Sequence, residues 1–246
     1  MKSINYFLIT ALGLLISIAS IAQKTTYKAG NAFSFTVNAG ASTFASSLAW
    51  MHYRGVGKHK RLKVGYGLRF TSFAGSDIEF ITAPAKFTSG KSSIAALVSP
   101  NINANIDTVS FATAQINSLN AGIYFAYTLP FWKNKVELGV NIDAVGFSFG
   151  GQQKGLYKNN EVSAKPTSFN LLLISDSDLG SLNSEWYVSY QFTKKVAVKV
   201  GYEFLFNEYT TTTKVQQLPS SNQTNDRFRL KSGMIMLGVN FSPFRK

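Results

Sequence analysis

The chain has 246 residues, 45% of them hydrophobic, with 20 Phe and 11 Tyr but only 15% charged residues; 25 Lys and Arg against 12 Asp and Glu leave a formal charge of +13. No cysteine and only two histidines exclude disulfides, lipid attachment through a thiol, and metal centres built on thiolates or clustered imidazoles.

In chain order, Lys2, the apolar run Tyr6–Ile21 and the small-residue ending Ser20, Ile21, Ala22 predict an export signal peptide over residues 1–22, cleaved after Ala22. The alternative, a retained anchor, has too short an apolar run for a spanning helix. Beyond it no stretch of about eighteen apolar residues occurs, so a membrane can be crossed only by strands, the other structure that satisfies its own backbone in lipid.

Eight segments then alternate with a period of two. Asn31–Asn38 puts Phe33, Phe35 and Val37 on one face. Phe44–Arg54 is less regular, with Leu48 and Trp50 against Ala49 and Met51. Arg61–Phe73 sets Leu62, Val64, Tyr66, Leu68 and Phe70 against Lys63, Gly65, Gly67, Arg69 and Thr71. Asn117–Thr128 sets Leu119, Ile123 and Phe125 against Asn120, Gly122 and Tyr124. From Val136, the residues Val136, Leu138, Val140 and Ile142 oppose Glu137, Gly139, Asn141 and Asp143, until a change of phase near Ala144 predicts a β-bulge before Val145, Phe147 and Phe149. Ser184–Phe206 is a hairpin turning at Thr193–Lys195, with Trp186, Val188, Tyr190, Val198, Val200 and Tyr202 on its apolar face. Leu230–Phe241 closes the series with Ile235, Leu237 and Val239 against Met234 and Gly238.

The strands are about as long as a tilted bilayer crossing requires. Their connections alternate too: Arg54–Arg61, Leu129–Lys135 and Thr193–Lys195 are short, whereas Ala74–Gln115, Gly150–Asn183 and Asn207–Arg229 are long. A soluble two-sheet sandwich would carry Lys and Glu on its polar face. Here that face is dominated by Gly65, Gly67, Gly122, Ala126, Gly139, Ser189, Gly201 and Gly238, which suit the crowded inside of a narrow barrel. The expected fold is all-β: a transmembrane antiparallel up-and-down β-barrel of eight strands.

The signal peptide, the alternation of short and long connections, and the closing strand ending in Gly238, Val239, Asn240, Phe241 resemble bacterial outer-membrane β-barrel proteins of the small, eight-stranded, OmpA/OmpX-like kind. The resemblance is one of pattern and covers nearly all of Asn31–Phe241. It implies a barrel over residues 31–246, a short periplasmic segment over 23–30, short turns facing the periplasm, long loops outside, and outer-membrane lipids as the surrounding partner. Ser242–Lys246 follow the final strand, so Phe241 and Phe244 both remain candidates for the terminal assembly signal.

Charge is distributed by side. Arg54, Lys58, Lys60, Arg61, Lys133, Lys135, Lys194 and Lys195 form a basic ring at the short turns, joined by Lys24, Lys28, Arg245 and Lys246, with no acid among the turns. Such a ring suits anionic lipid head groups or carboxylates of the cell wall, at about 1 kcal/mol per suitably placed cation; simple solvated turn residues are the plain alternative. Nucleic acid is not an expected partner. Inside, Lys63, Arg69, Glu137, Asp143, Glu185, Lys199 and Glu203 share the inward face and predict an ion-pair network filling the lumen.

His52 and His59 both lie at the first short turn, away from the side where a Ser/His/Asp arrangement could act, so no enzyme is expected, nor a cofactor. Asp176 and Asp178, with Asn183 and Glu185, are a faint calcium candidate that a turn of Asp, Ser and Gly explains as well. Asn222-Gln223-Thr224 fits the glycosylation sequon. Phe80 with Ile81, Ile94–Val98, and Phe169 with Leu171–Ile174 are apolar for loops. They would continue the strands, making ten staves, or fold over the mouth, or grip an extracellular ligand. The expected role is a non-enzymatic barrel with a filled lumen and binding or envelope-stabilising loops. The alternatives are a porin-like or lipophilic-solute transporter and, remotely, an envelope enzyme.

Overall fold

A computed structural model describes residues 29–91, 99–130, 134–173, 178–219 and 222–243. The segment 1–22 and the apolar run Ile94–Val98 fall outside them. Eight strands form the ring: β1 (Ala29–Ala39), β2 (Thr43–Val56), β3 (Leu62–Thr82), β4 (Thr108–Thr128), β5 (Val136–Phe149), β9 (Leu182–Gln191), β10 (Val196–Thr211) and β13 (Arg227–Phe241). Each pairs antiparallel with its neighbour in this order, and β13 closes on β1 with Phe33 opposite Phe241 and Val37 opposite Leu237. Between β5 and β9 lie β6 (Gln153–Tyr157), β7 (Asn160–Pro166) and β8 (Phe169–Leu171); β11 (Gln216–Leu218) and β12 (Gln223–Asn225) form a hairpin before β13.

In the half nearer the short turns, called lower below, alternation sorts the side chains. Phe35, Leu48, Leu68, Phe147, Trp186, Val200 and Ile235 stand exposed on the outer wall, Ile235 by 76%, while Thr36, Arg69, Asn120, Asn141 and Glu185 are buried within. Val196–Phe206, with eleven residues at about 3.3 Å each and a tilt of about 40°, rises about 25 Å, the height of a lipid-facing band. A soluble barrel would reverse this arrangement, so the lower half is a transmembrane barrel. The bulge stands where the sequence places it: Ala121 faces Val145 and Gly122 faces Asp143, so Ala144 is unpaired on β5, and its carbonyl accepts from the Leu172 N–H at 2.8 Å.

The upper half departs from the sequence reading. The expected long loop Ala74–Gln115 is much shorter, because β3 and β4 stay paired up to Ile81 opposite Thr108. Their inward parity reverses on the way. In β3 the buried residues are Arg69, Thr71 and Phe73 and then Ile78, Phe80 and Thr82, with Asp77 at φ +50° between them. In β4 they are Ile116 and Ala114 and then Phe111 and Val109, with 112 and 113 exposed. Above this step the inside is apolar. Phe80, Phe111 and Tyr209 pack with ring centroids 4.8–5.2 Å apart, among Phe73, Ile116, Leu205, Phe228 and Met234.

The ring also narrows. β1 and β2 end at the short connection 40–42, and above it β13 pairs directly with β3, Phe228 opposite Thr82. The hairpin β6–β7 replaces β5 and β9, meeting β4 at Ser110–Leu156 and β10 at Tyr209–Pro166 through Thr211–Ala164. Six strands therefore close the upper half, and the hairpin adds no stave to the eight below. Phe169 and Leu171 of β8 extend the outer wall of β5, with the Phe147 and Phe169 rings 5.7 Å apart.

Candidate functional site

The lumen below the apolar plug brings the inward charges together in two groups. At the lower mouth Lys63 pairs with Glu137, whose carboxylate also accepts from the Tyr124 hydroxyl at 2.9 Å and from Thr128 at 3.3 Å. Deeper, Arg69 lies 3.5 Å from Asp143 and 3.6 Å from Glu185, and Lys199 lies 2.9 Å from Glu185 while its ammonium stands 4.8 Å from the centre of the Tyr187 ring. Asn120 donates to Asp143 at 2.8 Å and Asn141 to Glu185 at 2.7 Å. Glu203 stands opposite Glu185 in the β9–β10 ladder with the Asn183 amide beside it, and neither of its oxygens makes a hydrogen bond of ordinary geometry.

Close packing of these side chains depends on glycine. Tyr187 faces Gly139 across the β5–β9 ladder, and a Cβ there would run into its ring. Gly67 faces Gly122, and beside them a cavity of about 20 Å³, the size of one water, is lined by Arg69, Tyr124, Asn141 and Asp143.

The basic residues Arg54, Lys58, Lys60, Arg61, Lys135, Lys194 and Lys195 all lie at the lower end, and Lys133 falls outside the described residues. Thr193 shapes one turn by accepting from the N–H groups of Lys195 and Val196 through its hydroxyl, at 3.2 and 3.0 Å. His52 is on the outer wall, with Nδ1 3.0 Å from Asn31 Oδ1 and its ring 5.4 Å from Tyr66, and His59 is exposed in the turn.

The calcium candidate is dispersed. Asp176 falls outside the described residues. Asp178 lies against the outer wall, its carboxylate accepting from the Leu173 N–H at 2.5 Å, while Asn183 and Glu185 point into the lumen. Among the described residues no group of three or more His, Cys, Asp or Glu could hold a metal ion.

One ionic cluster escapes the sequence reading, which leaves Asn207–Arg229 as loop. Glu208, fully buried, is gripped by Arg227 through Nε at 2.7 Å and Nη2 at 2.9 Å and by Arg229 at 2.9 Å; both guanidinium groups also donate to the Asp178 carbonyl. The signal available in sequence was the run Tyr209, Thr210, Thr211, whose residue types continue a strand.

No family model matches the chain, and no curated protein does. Among solved structures, the chain is similar to Neisserial surface protein A (NspA) at 10% identity, covering 88% of this chain and 99% of that one with a TM-score of 0.35. It is similar to the Yersinia pestis outer membrane protein Ail in a phospholipid bilayer nanodisc at 9% identity, covering 87% and 99% with a TM-score of 0.36. A designed transmembrane β-barrel gives 9% identity, 87% and 94% coverage and a TM-score of 0.31. Likenesses at these TM-scores add nothing to what the strand register already establishes.

Proposed function

We propose that this chain is an exported integral protein of a bacterial outer membrane, without enzymatic activity, whose lower barrel anchors it in lipid and whose upper six-stranded part is held outside for binding or for stabilising the envelope. Residues 1–22 serve as its cleaved export signal. One observation carries the reading: beneath an exposed apolar wall the lumen is filled by ion pairs, and above them it is closed by the core around Phe80, Phe111 and Tyr209. A transporting pore would need an aqueous path through that core, where no side chain could replace the hydration of a passing ion. The basic ring at the lower end meets anionic head groups or the cell wall, and Lys63 with Glu137 packs the mouth above it.

Planar-bilayer recording tests the anchor reading. The pure protein is expected to insert without steady single-channel current; reproducible unitary conductance would overturn the filled lumen and favour a transporter.

A further inference from the structure

Polar side chains in the lumen divide into two groups. Those on β3, β4, β5 and β9, with Lys199 of β10, are largely paired with one another, as described above. Along β1, and at Glu203 of β10, they are not. Ser34 Oγ, Thr36 Oγ1, both amide atoms of Asn38 and both oxygens of Glu203 are buried without a hydrogen-bond partner, as is Asn183 Oδ1 on β9. Buried polar atoms are ordinarily satisfied by protein, water or an ion, so this many in one compartment point to contents other than side chains.

Charge points the same way. With Lys63 and Glu137 neutralising each other at the mouth, Arg69 and Lys199 stand against Asp143, Glu185 and Glu203: two cations and three carboxylates, a surplus of one negative charge, all buried. Glu203 is the carboxylate left over, 0% exposed. Around it stand Glu185 and, one rung away, Asn183 on β9, Met234 on β13, Lys199 on its own strand, and Arg69 and Asp143 from across the lumen.

We propose that Glu203 holds one alkali cation, Na⁺ or K⁺, with the Asn183 amide oxygen as a second protein ligand and water completing the shell. All the donors are hard oxygens, and the deficit is one charge. A site with one spare carboxylate, and no group of three acidic ligands among the described residues, does not suit a divalent ion. A proton on Glu203 would cancel the same surplus, and the comparison of salts below separates the two. The ion enters from the lower mouth. Asn240 lines the small cavity there, Ser34 faces Asn240 in the β1–β13 ladder, and Thr36 and Asn38 follow on the same face of β1. Above Glu203 the way is shut by Phe73, Ile116, Leu205 and Met234.

The test is the thermal unfolding midpoint of the folded full-length barrel in detergent at pH 7, in NaCl, KCl and choline chloride at equal ionic strength. Na⁺ or K⁺ is expected to raise the wild-type midpoint by about 3–6 °C at ten times its Kd, with no such rise in choline. Glu203→Gln should lose that dependence while remaining at least as stable as wild type in choline. Asn183→Ala, which keeps the charge, should need several-fold more cation for the same rise. In case either variant folds poorly, ²³Na line broadening by the wild-type protein, reversed by K⁺, reads the site directly. A wild-type midpoint equal in all three salts and responsive to pH alone, or the absence of ²³Na broadening together with no rise in KCl, would overturn the proposal in favour of a bound proton. Neither outcome bears on conductance, so the anchor reading stands or falls separately.

Discussion

Glu208 illustrates where alternation informs and where it misleads. By parity it belongs to the outer face of β10, together with Phe204 and Phe206 at the upper edge of the apolar wall, where an unpaired carboxylate would be untenable. It is tolerated because residues 178–181 lie over it: the Gly180 N–H donates to its side chain at 3.4 Å, and Arg227 and Arg229 bind it from β13. Arg229 also stands 5.4 Å from the centre of the Phe206 ring, which seats the guanidinium at the edge of the apolar wall. Replacing Glu208 with Ala leaves two guanidiniums packed against protein without their carboxylate. We expect a loss of about 3–5 kcal/mol in unfolding free energy, read as a lower urea midpoint; an unchanged midpoint would mean that water reaches the cluster. The lumen charges, by contrast, were legible residue by residue, since Lys63, Arg69, Glu137, Asp143, Glu185, Lys199 and Glu203 all occupy inward positions of segments whose partners alternate cleanly. Which of them meet could not be read, because partners such as Lys63 and Glu137 are 74 residues apart and are brought together only where β3 and β5 flank β4.

Among elements, β3 and β4 carry the largest departure. Below Phe73 and Ile116 their apolar residues mostly face outward, and above Asp77 mostly inward, so a pattern search tuned to one environment ends each strand near the membrane boundary. Lipid outside favours apolar residues outside, and water outside favours them inside; the reversal marks the passage between the two solvents. The hairpin β6–β7 lies wholly on the watery side. Its tip turns through Lys158 and Asn159, both at positive φ, as a two-residue hairpin loop requires. It is clamped to the start of β4 by Asp107, which accepts from the Tyr157 hydroxyl at 2.6 Å and pairs with Lys158 at 3.0 Å. Burial, and then the hydrogen bond to Asp107, push the Tyr157 pKa up; the hydrogen bond to Asp107 raises that of Lys158. Both proton-bearing forms are favoured in the folded state, so the clamp is intact below the ordinary values of 10.0 and 10.5 and is lost as pH climbs above them. Asp107→Ala should release the tip at neutral pH. Limited proteolysis should then cut near Lys158 several-fold faster than in wild type, with the lower barrel still resistant to unfolding by detergent; equal rates would dismiss the clamp.

At the scale of the molecule, the basic ring and the apolar plug give the barrel two unlike ends. Changing Lys58, Lys60, Lys194 and Lys195 together to Gln removes four exposed cations from the lower end. At about 1 kcal/mol for each cation that meets an anionic surface, association of the purified protein with cell-wall sacculi or anionic vesicles should weaken by at least tenfold at low salt. Equal binding by the two proteins would reduce the ring to solvated turns. The sequence by itself determined the strands of the membrane half, their inward and outward faces and the bulge at Ala144, because a period of two with lipid on one side is a local property that every residue reports. Only the tertiary structure decided that the ring tapers from eight strands to six, that Phe80, Phe111 and Tyr209 meet over the lumen, and that Glu208 is covered. Each depends on segments far apart in the chain arriving side by side, and no local period records which strand will stop short or which neighbour will take its place.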